Sequence, residues 1–243
     1  MTIALGGVVC SGCAGGANVK KDKAVARMDL GRSLVKQGSP REGLAYLLQA
    51  DELDPNNPEI QHDLACTYAE IEEYDLALQR FKRAISLKPD YSEALNNMGI
   101  LYSKLKDWDN ALACFKKVAS DVLYKTPHFA YHNLGLVYYY KGDYPSAIEN
   151  YQKAIKLAPS YVNVYYDLAA SCEASNRYEE AIEAYKKAAI LSPKSRQAEI
   201  SLAKLYIRMG RKQDAKTTLK KMIEADPKSE AAAEASQLLE SLK

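Results

Sequence analysis

Residues 133–159 read NLGLVYYYKGDYPSAIENYQKAIKLAP, and this stretch decides the fold. Asn133, Leu134 and Gly135 open an apolar run at helical spacing, which stops at Gly142. Glycine there tolerates the left-handed conformation that closes a helix. Pro145 follows at the start of a second helix, where its missing N–H costs least. Ala147 and Tyr151 continue that helix, and Pro159 ends it and opens the next turn. Working outward, Pro159 has counterparts at Pro55, Pro89, Pro193 and Pro227, giving spacings of 34, 70, 34 and 34. The 70-residue gap is two periods plus two residues, so the chain repeats a 34-residue pair of helices.

Six repeats start near Ala24, Pro58, Ser92, His128, Val162 and Arg196, spanning 24–57, 58–91, 92–127, 128–161, 162–195 and 196–229. Repeat position 8 is Gly31, Ala65, Gly99, Gly135, Ala169 and Ala203, and position 20 is Gly43, Ala77, Ala111, Ala147, Ala181 and Ala215. Both columns are small throughout, as close approach of two helices requires; a larger side chain would overpack at ~1–3 kcal/mol. Position 15, just past the first helix, is Gly38, Gly142, Asn176 or Gly210 in four repeats. Period and columns fit the tetratricopeptide pattern. The expected fold is all-α, a right-handed α-solenoid of six such repeats as one domain over 24–243. Residues 230–243, with Leu238, Leu239 and Leu242 on one side, would be a capping helix over the last apolar face.

The charge balance, 33 basic against 31 acidic residues for a net +2, argues against nucleic-acid binding as the main role. No apolar run approaches the ~18 residues that span a bilayer. Residues 1–23 form a separate segment: the first charged residue is Lys20, and five of the 12 glycines lie before it. Ser11-Gly12-Cys13 resembles the end of a bacterial lipoprotein signal, with Cys10 where Leu is usual and no Lys or Arg before the apolar stretch. Lipidation at Cys13 would hold the protein on a membrane, each buried CH₂ contributing ~0.8 kcal/mol; Lys20 to Lys23 would then be a polar tether. The alternative is an inert Gly/Ala-rich tail.

No catalytic constellation emerges, and the chain reads as a non-enzyme without cofactor or metal. His62 and Cys66 are four apart and could share a helix face, but two ligands do not make a zinc site. His128 and His132 repeat that spacing with no carboxylate clustered about them in the sequence. Cys66, Cys114 and Cys172 fall in different repeats, which reads as buried free thiols. Gly-rich phosphate loops and Gly-x-Ser-x-Gly elbows are missing. Position 6 forms a polar column, Asp29, Asp63, Asn97, Asn133, Asp167 and Ser201. It could bond the backbone of an extended peptide or be a solvated helix face. A carboxylate clamp of the chaperone-binding kind is disfavoured, because of Asn96, Ile100, Asn133, Asn163 and Asp167 only Asn133 fits it.

Repeat three breaks the pattern. It lacks the closing proline and runs Ser120-Asp121-Val122-Leu123-Tyr124-Lys125-Thr126-Pro127, two residues longer than the unit. A loop placed once in a strict array is a usual location for function. The block Leu95-Asn96-Asn97-x-Gly99, the junction Asp121-x-Leu123-Tyr124…Pro127 and Asn133-Leu134-Gly135-Leu136 resemble the type IV pilus pilotins. These are tetratricopeptide lipoproteins of the outer membrane that help the secretin assemble. The resemblance implies a protein-binding role on the periplasmic face of the outer membrane, with the secretin subunit as partner and a lipid anchor as the only membrane attachment. A general cytoplasmic adaptor is the alternative.

The expected binding surface is the first-helix face of repeats three to five, with Asn97, Ile100, Phe129, His132, Asn133, Leu136, Tyr139, Tyr140 and Tyr166 as contacts. Tyrosine usage points the same way. The chain has 18 Tyr against 3 Phe and 1 Trp. Thirteen fall on repeat-consensus positions 4, 11, 17, 24 and 34, leaving Tyr46, Tyr124, Tyr139, Tyr140 and Tyr166, mostly near the break.

Overall fold

A computed structural model describes residues 12–242, with side chains from Asn18 onward. The stretch before Gly12 and the Cys13 side chain, on which the lipidation reading rests, lie outside the described residues. Thirteen helices and no strand occur among the described residues. Repeat one holds α1 (Gly12–Lys36) and α2 (Pro40–Leu53), repeat two α3 (Pro58–Glu70) and α4 (Tyr74–Leu87), and repeat three α5 (Ser92–Lys104) and α6 (Trp108–Ser120). Repeat four holds α7 (Pro127–Tyr140) and α8 (Tyr144–Leu157), repeat five α9 (Val162–Ala174) and α10 (Tyr178–Leu191), and repeat six α11 (Gln197–Arg208) and α12 (Lys212–Ala225). The C-terminal helix is α13 (Glu230–Glu240). The architecture is an all-α solenoid of helix pairs. The polar stretch Lys20–Lys23 lies within α1.

The chain forms two compact units, one ending at Cys114 and one beginning at Phe115, so the boundary falls inside α6. In the first, each helix from α1 to α5 packs on the next, and first helices also touch across repeats, α1 on α3 and α3 on α5. Its core includes Ala24, Met28, Leu47, Ala50, Ile60 and Leu64. In the second unit the same stacking runs from α7 to α13, with α7 on α9. Ile148, Ile182, Ile200, Leu205 and Leu219 are buried there, and Leu238 and Leu239 of α13 pack against them while Leu242 is itself buried.

Two devices make each pair close. The first is the small-residue columns: every alanine at positions 8 and 20 is fully buried. At Gly135 a Cβ would stand 2.4 Å from Cε1 and 2.6 Å from Cδ1 of Tyr151, a wholly buried ring. The second is the turn. In every repeat the N–H of position 16 reaches the carbonyl of position 11, as Asp143 to Tyr138 at 2.9 Å and Arg177 to Cys172 at 2.7 Å show. With the companion bond from position 15 to position 12 this is a Schellman closure. Position 15 is left-handed in all six repeats, including the two without glycine or asparagine, Glu72 (φ 67°) and Lys106 (φ 59°). The sequence shows only four such sites because hydrogen bonding imposes the conformation even where the side chain opposes it.

Candidate partner-binding face

In the first unit α3 and α5 are joined through side chains one repeat apart. Asn97 Nδ2 lies 3.0 Å from His62 Nε2 and 3.5 Å from Cys66 Sγ. The His62 ring sits against Tyr91, centroids 5.2 Å apart, and Phe81, 6.0 Å apart. Its Nδ1 is 3.5 Å from an Asp63 oxygen, and Asp63 in turn accepts from Arg32 of α1. Burial alone would push the His62 imidazolium down; Asp63 and the Cys66 sulfur outweigh it and raise its pKa to about 9. Burial, with the Glu59 and Asp63 carboxylates adding to it, pushes the neighbouring Tyr91 up to about 12.

The second unit repeats the arrangement. His132 is 7% exposed; its Nε2 is 2.6 Å from Asp167 Oδ2, and its Nδ1 is 3.1 Å from the Tyr161 hydroxyl. Tyr161 crosses the His132 ring edge-on at 5.1 Å, and Tyr151 lies 5.8 Å away. His62 and His132 both hold position 5, Asn97 and Asp167 position 6 of the next repeat, Tyr91 and Tyr161 position 34, and Phe81 and Tyr151 position 24. One four-residue link thus occurs twice. The sequence reading that His132 lacks a carboxylate is corrected here: Asp167, 35 residues away, supplies it across the repeat boundary. The polar column at position 6 works largely as backward links, Asp63 to Arg32, Asn97 to His62 and Asp167 to His132.

The expected contact residues fall in both units. In the first, Asn97 is half-buried in its link and Ile100 is exposed. In the second, His132 is enclosed with both ring nitrogens engaged, so it braces the face and offers no free edge. Phe129 is exposed and stacks with His128 (4.2 Å) and edge-on with Tyr161 (5.3 Å). Burial, followed by His132, lowers the His128 pKa. Asn133 is half-buried. Leu136, Tyr139 and Tyr166 pack partly into the cluster around Tyr151 and Tyr165. Tyr140 is 65% exposed, with its ring edge-on to Tyr139 at 5.6 Å. The Tyr166 hydroxyl is buried without a hydrogen-bond partner among the described residues. The face carried by α7 and α9 is therefore aromatic, braced from behind by His132–Asp167 and open at Phe129 and Tyr140. Sequence reading missed Asp167 and Tyr161 as parts of the brace; their signal is the recurrence of His at position 5 with Tyr at position 34.

This chemistry suits recognition. Among the described residues no group of three His, Cys, Asp or Glu side chains could hold a metal, and no helix is long and apolar enough to cross a membrane. Cys66, Cys114 and Cys172 form no disulfide among the described residues, and burial pushes Cys172 up to about 11.

Sequence-family models described as tetratricopeptide repeat match residues 24–57, 90–160, 132–196 and 173–239, and one described as TPR repeat matches 66–106. No curated protein matches the sequence. Among solved structures, PilW, titled a widely conserved type IV pilus biogenesis factor, is 23% identical with a TM-score of 0.73, covering 86% of this chain and 96% of its own. PilF of Pseudomonas aeruginosa is 21% identical with a TM-score of 0.72, covering 91% and 99%. MamA of Desulfovibrio magneticus RS-1 is 26% identical with a TM-score of 0.64, covering 71% and 96%.

Proposed function

Because this chain is a tetratricopeptide-repeat protein, a scaffold type that typically binds other proteins without catalysis, we propose that it is a pilotin that promotes secretin assembly in type IV pilus biogenesis. The observation that carries this reading is coextension. The fold likeness runs over 96% and 99% of the PilW and PilF chains, not over a shared pair of repeats. The two-residue expansion at the 121–126 junction and the lipoprotein-like Ser11-Gly12-Cys13 support it from the sequence. On this reading Cys13 carries the anchor, the protein works at the periplasmic face of the outer membrane, and the secretin subunit is held on the aromatic face of α7 and α9. Phe129 and Tyr140 supply the exposed anchors. Aromatic side chains dominate such surfaces, at ~2 kcal/mol or more each on truncation.

Gene deletion tests the role: heat-resistant secretin multimers and surface pili should be lost, and normal multimers in the deletion strain would refute it. Phe129→Ala with Tyr140→Ala tests the face, because both are exposed and the helical content should be unchanged while secretin binding weakens. A second reading, a cytoplasmic adaptor, is favoured by Cys66 and Cys172 remaining reduced, outside any disulfide. Cell fractionation with mass spectrometry of the mature N-terminus separates the two.

A further inference from the structure

The 121–126 junction presents Val122 and Leu123 at 94% and 85% exposure, the two most exposed large apolar side chains among the described residues. The tip is built, not frayed. The Tyr124 N–H donates to the Asp121 carbonyl at 3.2 Å, and the Leu123 N–H donates to Asp121 Oδ1 at 2.9 Å. This Asx-supported turn holds both aliphatic side chains outward. The five equivalent connections read Asp54-Pro55-Asn56-Asn57, Lys88-Pro89-Asp90-Tyr91, Ala158-Pro159-Ser160-Tyr161, Ser192-Pro193-Lys194-Ser195 and Asp226-Pro227-Lys228-Ser229, and none carries a pair of large aliphatic residues.

Basic groups surround the tip. Lys116 and Lys117 lie at the end of α6 and Lys125 follows the turn; all three are exposed and form no ion pair among the described residues. Asp121 is the acidic residue between them, and its carboxylate is engaged by the Leu123 N–H. Next to the tip, Lys116 and Ser120 line a polar cleft of about 370 Å³ with Tyr131, Glu149, Asn150 and Lys153. Glu149 is taken by Lys153 at 2.7 Å, which leaves Lys116 without a carboxylate partner, its ammonium 6.0 Å from the centre of the Tyr138 ring. Protein hot spots favour aromatic and Arg anchors and are poor in Val and Leu. A projecting aliphatic pair ringed by lysines instead matches an interface that is apolar below and anionic above, as a bilayer surface is.

We propose that this tip is a membrane contact: Val122 and Leu123 enter the headgroup region of an anionic phospholipid surface while Lys116, Lys117 and Lys125 meet its phosphates. The contact is separate from any acyl anchor and does not rest on the pilotin reading. It would fix how the second unit faces the bilayer.

The test uses the full chain carrying Cys13→Ser, so that no acyl group contributes, and vesicle flotation. Binding is expected to vesicles of phosphatidylethanolamine and phosphatidylglycerol at about 3:1, and to be at least ~tenfold weaker to pure phosphatidylcholine. Val122→Ser with Leu123→Ser, at sites too exposed to affect folding, should reduce binding at least ~tenfold with unchanged circular dichroism, and Lys117→Glu with Lys125→Glu should do the same. The indole introduced by Leu123→Trp, after subtraction of the Trp108 signal, should shift its emission to the blue on binding and be quenched by brominated lipid. Absence of vesicle binding overturns the proposal, as does binding that the serine pair leaves unchanged. So does indole emission from the Leu123→Trp variant that stays water-like while the serine pair abolishes capture of a protein partner; the tip would then be a protein contact.

Discussion

Gly135→Ala is the most direct probe of how closely the helices of a repeat must approach behind the aromatic face. The added methyl would stand 2.4, 2.6 and 2.9 Å from three atoms of the Tyr151 ring. That ring is wholly buried and has His132 beside it, so it has no free direction in which to move. Overpacking of this kind costs ~1–3 kcal/mol. Alanine recovers about 1 kcal/mol of helix propensity over glycine. Contacts of 2.4–2.9 Å with a wholly buried ring put the cost in the upper part of that range, ~2–3 kcal/mol, so the net expectation is a loss of roughly 1–2 kcal/mol, or about 2–8 °C in Tm for a chain of this size. Urea unfolding followed by circular dichroism measures it. Tyr151→Leu provides the internal check: it should be less costly in the Gly135→Ala background than alone, because the smaller side chain relieves the clash. A Gly135→Ala protein as stable as the parent, or a double mutant with simply additive losses, would refute the account.

Glu72→Gly and Lys106→Gly should each stabilise the fold by ~0.5–1 kcal/mol, since a left-handed L-residue costs ~1–2 kcal/mol and glycine's extra unfolded-state freedom returns ~0.4–1; equal or lower stability in urea would count against the turn argument. His62 has a folded pKa of about 9 against 6.5 for the free group. Its contribution, up to about 3 kcal/mol, is therefore present in full below pH ~6.5 and lost as pH rises through about 9. Chemical denaturation across that window should show this slope in the parent and not in His62→Gln. Asp167→Ala leaves the buried His132 nitrogen unpaired and should cost ~1–3 kcal/mol; a double-mutant cycle with His132→Ala that yields no coupling would show the 2.6 Å pair to be inert.

Much of the fold is legible in the sequence because the repeat writes it several times over. Pro55, Pro89, Pro159, Pro193 and Pro227 fix the period, and the glycine and alanine columns fix where helices meet. The left-handed turns at Glu72 and Lys106 are not legible, because the local residues give no hint of a conformation that the surrounding hydrogen bonds enforce. The candidate site is harder for a related reason. Tyr161 and Tyr91 read as ordinary turn residues, yet each lies against a histidine of its own repeat. The partner of that histidine, Asp167 or Asn97, lies 35 residues on, where a search for clustered side chains in sequence does not look. Exposure of Val122 and Leu123 likewise depends on the Asx turn, which the junction's composition alone does not specify.

The links across repeat boundaries bear on how such an array melts. In a one-dimensional chain of coupled elements, cooperativity is set by the interfacial free energy between neighbours, not by the intrinsic stability of each element. Arg32–Asp63, His62–Asn97, His132–Asp167 and Glu173–Arg208 all place energy in that interfacial quantity. One of them contains the titrating His62, but the groups that raise its pKa, Asp63 and Cys66, belong to its own repeat, so pH tunes the intrinsic stability of repeat two. Within the first unit, alkaline conditions would therefore loosen repeat two itself, while the links across its boundaries keep its melting coupled to that of its neighbours.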